Sequence, residues 1–152
     1  MLGHARRQDL PDLPATKPAS EGVVQLRVRY SECDPMNVAH HASYVPWLEM
    51  GRTELLRSSG VSYAQLEAAG VFLVIVKLEV KYRRPVLYDD MVEIRTRVSG
   101  AGKVKIEHAY DVVVIERHGK PASEVAALAA TTLGCVDRDG RVRQLPEWLS
   151  GT

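Results

Sequence analysis

From Val24 the chain alternates apolar and polar residues: Val24, Leu26, Val28 and Tyr30 are separated by Gln25, Arg27 and Arg29. A period of two predicts a half-buried strand. The pattern breaks at Ser31–Asn37, where Asp34-Pro35 and Asn37 favour a turn. It resumes with spacings of three and four at Tyr44, Trp47, Leu48, Gly51, Leu55 and Ser59, which predicts a helix over 43–59. Pro46 falls in its first turn, where the missing N–H is harmless, and Gly60 ends it. Ser62 and Gln65 have capping-box spacing, so a second, short helix is expected over 63–69, stopped by Gly70.

Everything after Gly70 reads as strands. Residues 71–82 are rich in Val, Leu and Ile, and 91–98 alternate Val92, Ile94 and Val98 with charge. Gly100-Ala101-Gly102 is expected to make a tight connection into 104–117, whose Val104, Ile106, His108, Tyr110, Val112 and Val114 share a face. His118-Gly119 predicts a hairpin turn. Residues 124–136 are alanine-rich and would suit a helix. Alternation of Val125, Ala127, Ala129, Thr131, Leu133 and Cys135 assigns them to a strand. One long helix and five strands joined mostly by tight turns give an α+β expectation: an antiparallel sheet wrapped around that helix. The alanines of the last strand would let sheet and helix approach closely. Residues 1–20, with Pro11, Pro14 and Pro18 among small and polar residues, are expected to form a flexible N-terminal arm ahead of a single domain over 21–152.

Composition narrows the function. A chain of 152 residues holds one core, and a net charge of +1 gives no overall attraction to nucleic acid. Two cysteines, Cys33 and Cys135, are too few for a disulfide framework and fit reduced thiols. No window approaches the ~18 apolar residues of a membrane span, and no apolar run follows Arg6 and Arg7 as a secretory signal would require. A cytoplasmic protein without membrane insertion is the expectation.

The candidate chemistry lies between Arg29 and Tyr44. Asp34 follows a strand, while His40 and His41 precede a helix whose first N–H groups are unpaired. Carboxylate, imidazoles and backbone donors are the parts that hydrolysis of a thioester needs. On residues alone, Asp34 before Pro35 fits a turn or capping role as well as a catalytic one, and His41 fits a capping role. Cys33 has no charged partner in the pattern to activate it. Glu32 reads as solvent-facing or as holding the turn. Glu49 on the helix is a rival carboxylate, although Arg52 at helical spacing fits a structural ion pair. Lys77, Lys81, Arg83 and Arg84 would suit phosphates or simply protect an edge strand.

The order Tyr30, Glu32, Asp34, Val38, His41, Tyr44, Glu49, Arg52 resembles the 4-hydroxybenzoyl-CoA thioesterase-like branch of the hot-dog superfamily, most of all its bacterial acyl-CoA thioesterases. The stretch Tyr82–Asp90 is similar to that family's Pro-containing turn. The likeness runs over roughly 24–145, with Asn37 where the family often has Gly and His40 where an aromatic is common. The resemblance implies the hot-dog fold, and acyl-CoA thioesterase activity with Asp34 as nucleophile or general base. His41 would orient or polarise the thioester. His40, Ala42 and Tyr44 would form the acyl site, with backbone N–H groups near 40–42 as the oxyanion hole. Arg83 and Arg84 would meet the phosphates, and Glu49 is the alternative catalytic carboxylate. It further implies a homodimer or homotetramer, acyl carrier protein as the alternative carrier of the acyl group, and no cofactor or metal. The other readings of the same fold are a hydratase or dehydratase, and a non-catalytic acyl-thioester-binding protein.

Overall fold

A computed structural model describes residues 19–150. Its strands are β1 (Glu21–Arg27), β2 (Phe72–Tyr82), β3 (Met91–Ala101), β4 (Lys105–Arg117) and β5 (Lys120–Val136). Its helices are α1 (Tyr44–Arg57) and α2 (Tyr63–Ala68). The strands form one sheet in the order β1-β3-β4-β5-β2, every pair antiparallel. The helix α1 buries Tyr44, Trp47, Leu48, Gly51 and Leu55 against it, as the spacing predicted, together with Leu56, whereas Ser59 lies past the end of the helix and is only half-buried. The expected arm over 1–20 lies outside the described residues except for Ala19 and Ser20. The Ser20 carbonyl already accepts the Val98 N–H at 2.8 Å.

The turn chemistry behaves as the residue types require. Gly60 and Gly70 take positive φ after the two helices, and the α2 capping box is complete, with both Ser62–Gln65 bonds formed. His118 and Gly119 both have positive φ, at 54° and 74°, the conformation a two-residue hairpin between twisted strands demands.

Four expectations need correction. Tyr30 does not continue the buried face of β1: it opens a 3-10 turn, Tyr30–Glu32, and is 74% exposed. Gly100 and Ala101 are not a connection but the end of β3, paired with Glu107 and Ile106 past a bulge. Val125 is exposed and Ala126 fully buried, because the β4–β5 register shifts between the pairs Val112–Ala127 and Val113–Val125 and places an extra residue on β5. The Ala126 carbonyl is thereby free to accept the N–H groups of Arg83 and Arg84, at 2.8 and 3.0 Å. Finally, α1 comes nearest the sheet at Gly51 and not over the β5 alanines. A Cβ there would meet the Ile94 side chain at 2.9 Å and the Thr96 hydroxyl closer still. The β5 alanines sit instead in a core cluster with Tyr44, Trp47 and Tyr110, where small residues leave room for large rings.

The core falls into two clusters. One surrounds Trp47, Leu48, Ile94 and Val112, and the other surrounds Leu56, Leu66, Ile106 and Leu133. The inner-face positions between them are polar. Thr96 stands opposite Tyr110 on β3 and β4, and His108 stands opposite Thr131 on β4 and β5.

Candidate active site

The segment between β1 and α1 is tied down at nearly every residue. Cys33 bridges Ala39, and Val38 bridges Leu87, so residues 33–39 form a small hairpin laid on the turn before β3. Asn37 turns it with a φ of 61°, the left-handed conformation that Asn tolerates. The Ala39 N–H donates to the Val86 carbonyl at 2.7 Å, and the Tyr88 N–H to the Asn37 carbonyl at 3.0 Å.

Asp34 is half-buried at the base of this hairpin. Its Oδ1 accepts the N–H groups of Met36 at 2.8 Å and Val38 at 3.2 Å. Its Oδ2 has no hydrogen-bond partner among the described residues. One oxygen therefore does the turn-holding work that Asp before Pro commonly does, and the other is left for a ligand.

A 3-10 turn, His41–Ser43, leads into α1. His40 caps it, its Nδ1 accepting the Ala42 N–H at 3.1 Å. Of the two backbone donors at the start of this turn, Ala42 is thus engaged, whereas the N–H of His41 has no partner among the described residues. The exposed imidazoles of His40 and His41 lie with centroids 4.1 Å apart. The His41 carbonyl accepts the Tyr82 hydroxyl at 2.8 Å, which fastens the turn to the end of β2. Tyr44 is buried and meets the half-exposed Tyr82 ring edge-on at 4.9 Å. Burial pushes the Tyr44 hydroxyl up to about 12, so it stays protonated.

Glu32 joins loop and helix. Its carboxylate accepts the indole N–H of the fully buried Trp47, and the Arg29 N–H at 2.8 Å. Its carbonyl accepts the His40 N–H at 2.8 Å and the Ser43 hydroxyl at 2.7 Å. Burial works to raise its pKa, but the bonds from Arg29 and Trp47 outweigh this and hold the carboxyl below its usual range. Of the two roles read from sequence it holds the turn, and its side chain is only 10% exposed. Asp90 does similar work from behind. Nearly fully buried, it pairs with Arg117 at 2.8 Å and accepts the Leu87 N–H at 2.8 Å, so the turn under the hairpin is pinned to β4.

The remaining candidates are dispersed. Glu49 lies on the exposed side of α1, 4.0 Å from Arg52. Arg83 and Arg84 are exposed beyond the end of β2, with neither guanidinium in an ion pair among the described residues. The Cys33 thiol is pushed up by burial and by the nearby carboxylates Glu32, Asp34 and Asp90, so it is a poor nucleophile.

A family model described as the thioesterase-like superfamily matches residues 28–151, nearly the whole described chain. The chain belongs to that superfamily. YneP of Bacillus subtilis (strain 168), a candidate acyl-CoA thioesterase, is 30% identical over 76% of this chain and 79% of its own length. The acyl-CoA thioester hydrolase YbgC of Shigella flexneri is 42% identical over 49% of this chain and 55% of its own. Among solved structures, the DHNA-CoA thioesterase of Staphylococcus aureus superposes with a TM-score of 0.72 at 26% identity, covering 82% of this chain and 79% of that one. The five-stranded antiparallel sheet around one main helix is the hot-dog fold that these thioesterases share. As a member of the thioesterase-like superfamily the chain is, by class, a thioester hydrolase.

Sequence reasoning on this thioesterase-like chain brought Asp34, His40, His41, Ala42 and Tyr44 to one region, and the fold does place them on one hairpin and the helix start that follows it. Glu49, Arg83 and Arg84 lie on other elements. One support was missed and another was read only in part. Asp90 read as a turn residue, and only its own burial against Arg117, distant in sequence on β4, shows otherwise. For Glu32 the signal was available, since Trp47 is an indole donor bound to be buried and in need of an acceptor.

Proposed function

We propose that the protein hydrolyses an acyl-CoA to the free acid and CoA, with Asp34 as the carboxylate that acts on the thioester. The observation that supports this is the division of labour at Asp34. Met36 and Val38 N–H groups fix one carboxylate oxygen, and the other is left open beside a helix start carrying an unpaired N–H. Two routes satisfy that arrangement. Asp34 attacks the thioester carbonyl, expels CoA thiolate and leaves a mixed anhydride for water to cleave, or it takes the proton of a water that attacks in its place. In both, negative charge develops on the carbonyl oxygen, and the His41 N–H, at the positive end of α1, is the donor we assign to it. The Ala42 N–H serves as a second donor when His40 releases it. The His41 imidazole orients the thioester. Tyr44 acts on the acyl site by fixing the ring of Tyr82, and His40 forms part of its rim.

Arg83 and Arg84 are assigned to the phosphates of the carrier, because guanidinium forks match phosphate and neither is spent on an ion pair among the described residues. CoA is preferred to acyl carrier protein on that ground. The exposed edge of β2 is assigned to a second copy, giving a homodimer or a dimer of dimers, and the enzyme is placed in the cytoplasm. Among the described residues no helix is long and apolar enough to cross a membrane. No metal or organic cofactor enters either route.

Purified protein offered a panel of acyl-CoAs, short aliphatic, long aliphatic and aromatic, should release free thiol from at least one class. A change in enoyl absorbance without thiol release would instead indicate a hydratase, and binding without turnover an acyl-thioester carrier.

A further inference from the structure

The turn that opens α1 holds two neighbouring backbone donors in different states. The N–H of His41 has no partner among the described residues, whereas the N–H of Ala42 is taken by His40 Nδ1 at 3.1 Å. Consecutive N–H groups in the first turn of a helix point out of its N-terminal end. An oxygen that meets the first can therefore meet the second once that one is free. The bond that holds it is local, from residue 40 to residue 42, with the ring nitrogen standing where Ser or Asn would offer a capping oxygen. The His40 side chain is exposed, so solvent rather than packing surrounds the ring.

Histidine differs from the usual capping residues in that it can lose its acceptor. To accept the Ala42 N–H, Nδ1 must carry a lone pair, so His40 is neutral with its proton on Nε2. A second proton turns Nδ1 into a donor. Two N–H groups then face each other, and the bond cannot persist. Histidine is the side chain that changes charge near neutral pH. The surroundings do not tie His40 to either form. His41 is the ring beside it, with centroids 4.1 Å apart. Glu32, whose carbonyl accepts the His40 N–H, turns its carboxylate to Trp47 and Arg29. Tyr82, at the end of β2, spends its hydroxyl on the His41 carbonyl, and Asp34 holds the hairpin that leads to His40. Among the described residues no carboxylate forms an ion pair with the His40 ring.

We propose that His40 is a positioning residue that switches the second oxyanion donor. While neutral its Nδ1 occupies the Ala42 N–H, and once protonated it swings away and gives that N–H to the thioester oxygen. This role rests on the thioester reading of Asp34. A donor aimed at charge that develops only in the transition state raises kcat and leaves KM nearly unchanged. Turnover therefore carries a component that grows as pH falls through the titration of His40. A general base would show the opposite sign, since its neutral form is the active one.

The test compares wild type, His40→Asn and His40→Phe in thiol release from an acyl-CoA that wild type cleaves, between about pH 8 and pH 5. Asn caps without titrating, and Phe has no acceptor. The kcat of wild type relative to His40→Asn should rise by about tenfold toward acid, below the roughly 100-fold of a fully aimed donor, with KM unchanged. His40→Phe should exceed His40→Asn by a constant factor across the range. In parallel, the Ala42 amide resonance of the ¹⁵N-labelled protein should follow the His40 ring as it titrates. A wild-type to His40→Asn ratio that stays flat, or an Ala42 amide that ignores the His40 ring, would overturn the switch. Failure to cleave any acyl-CoA would instead sink the thioester reading, while the amide titration still decides whether the cap opens. If His40→Phe does not fold, wild type and His40→Asn decide alone.

Discussion

The side chains that organise the site are mostly not the ones that would perform chemistry on it. Glu32 accepts from Trp47 and Arg29 while its backbone receives His40 and Ser43, so the loop carrying Asp34 and the start of α1 are one hydrogen-bonded unit. Glu32→Ala leaves a buried indole N–H unpaired and should cost about 1–3 kcal/mol of stability, measured as a fall in the urea midpoint. Thioesterase activity should fall further than stability alone explains, because the loop loses its anchor. His108 gives a separate signature in pH. Burial first, and the Arg52 cation second, lower its pKa from 6.5 to about 4. A depressed histidine means that, between those values, the unfolded chain binds a proton that the folded chain refuses. Stability should therefore fall as pH drops from 6.5 to about 4, by up to about 3 kcal/mol, and His108→Leu should flatten that window. Glu32, whose pKa is lowered, contributes stability above its unfolded value of 4.5 that is lost below it, so its effect appears at lower pH. A wild-type urea midpoint that stays level between pH 6.5 and 4 would contradict this account of His108.

At the level of elements, the helix and strands were legible because their periodicities differ and because turn residues marked nearly every boundary. The left-handed turns at Asn37, His118 and Gly119 were readable from residue type. What escaped was set by partners distant in sequence. The alternation Val125, Ala127, Ala129 looks unbroken, yet a bulge buries Ala126 and exposes Val125, since the register of β5 is decided by β4. Gly51 read only as one position of the helical stripe, and its purpose appears against Thr96 and Ile94. Gly51→Ala places a Cβ into both side chains. We expect a loss of about 1–3 kcal/mol by overpacking, even though Ala is the better helix former, with thermal unfolding as the measurement. A variant as stable as wild type would show that α1 can lift from β3 at no cost. The candidate site was legible for the same reason as the helix start, because its residues are contiguous in sequence. Asp90 with Arg117, and Arg52 with His108, were not, since each pair is assembled across the fold.

At the scale of the molecule, the sheet ends on β2 with Val74, Ile75, Val76 and Leu78 at least two-fifths exposed. A long apolar edge strand in a free monomer invites pairing. Wild type should accordingly sediment as a dimer or larger, and Ile75→Lys with Leu78→Lys should shift it toward monomer while leaving its circular dichroism unchanged. A wild-type protein that sediments as a monomer would remove β2 as the interface. The central claim concerns which carboxylate meets the thioester, Asp34 on its hairpin or Glu49 on the exposed side of α1. The most direct measurement is steady-state thiol release, on an acyl-CoA that wild type cleaves, by folded Asp34→Asn beside Glu49→Gln. Asn keeps the shape of Asp34 and an oxygen for Met36 and Val38, but it can neither attack nor take a proton. The account predicts a fall in kcat of about 100-fold or more for Asp34→Asn, the scale of a lost general base, and near-wild-type turnover for Glu49→Gln. Retained activity in Asp34→Asn together with its loss in Glu49→Gln would contradict the account and move the chemistry onto α1.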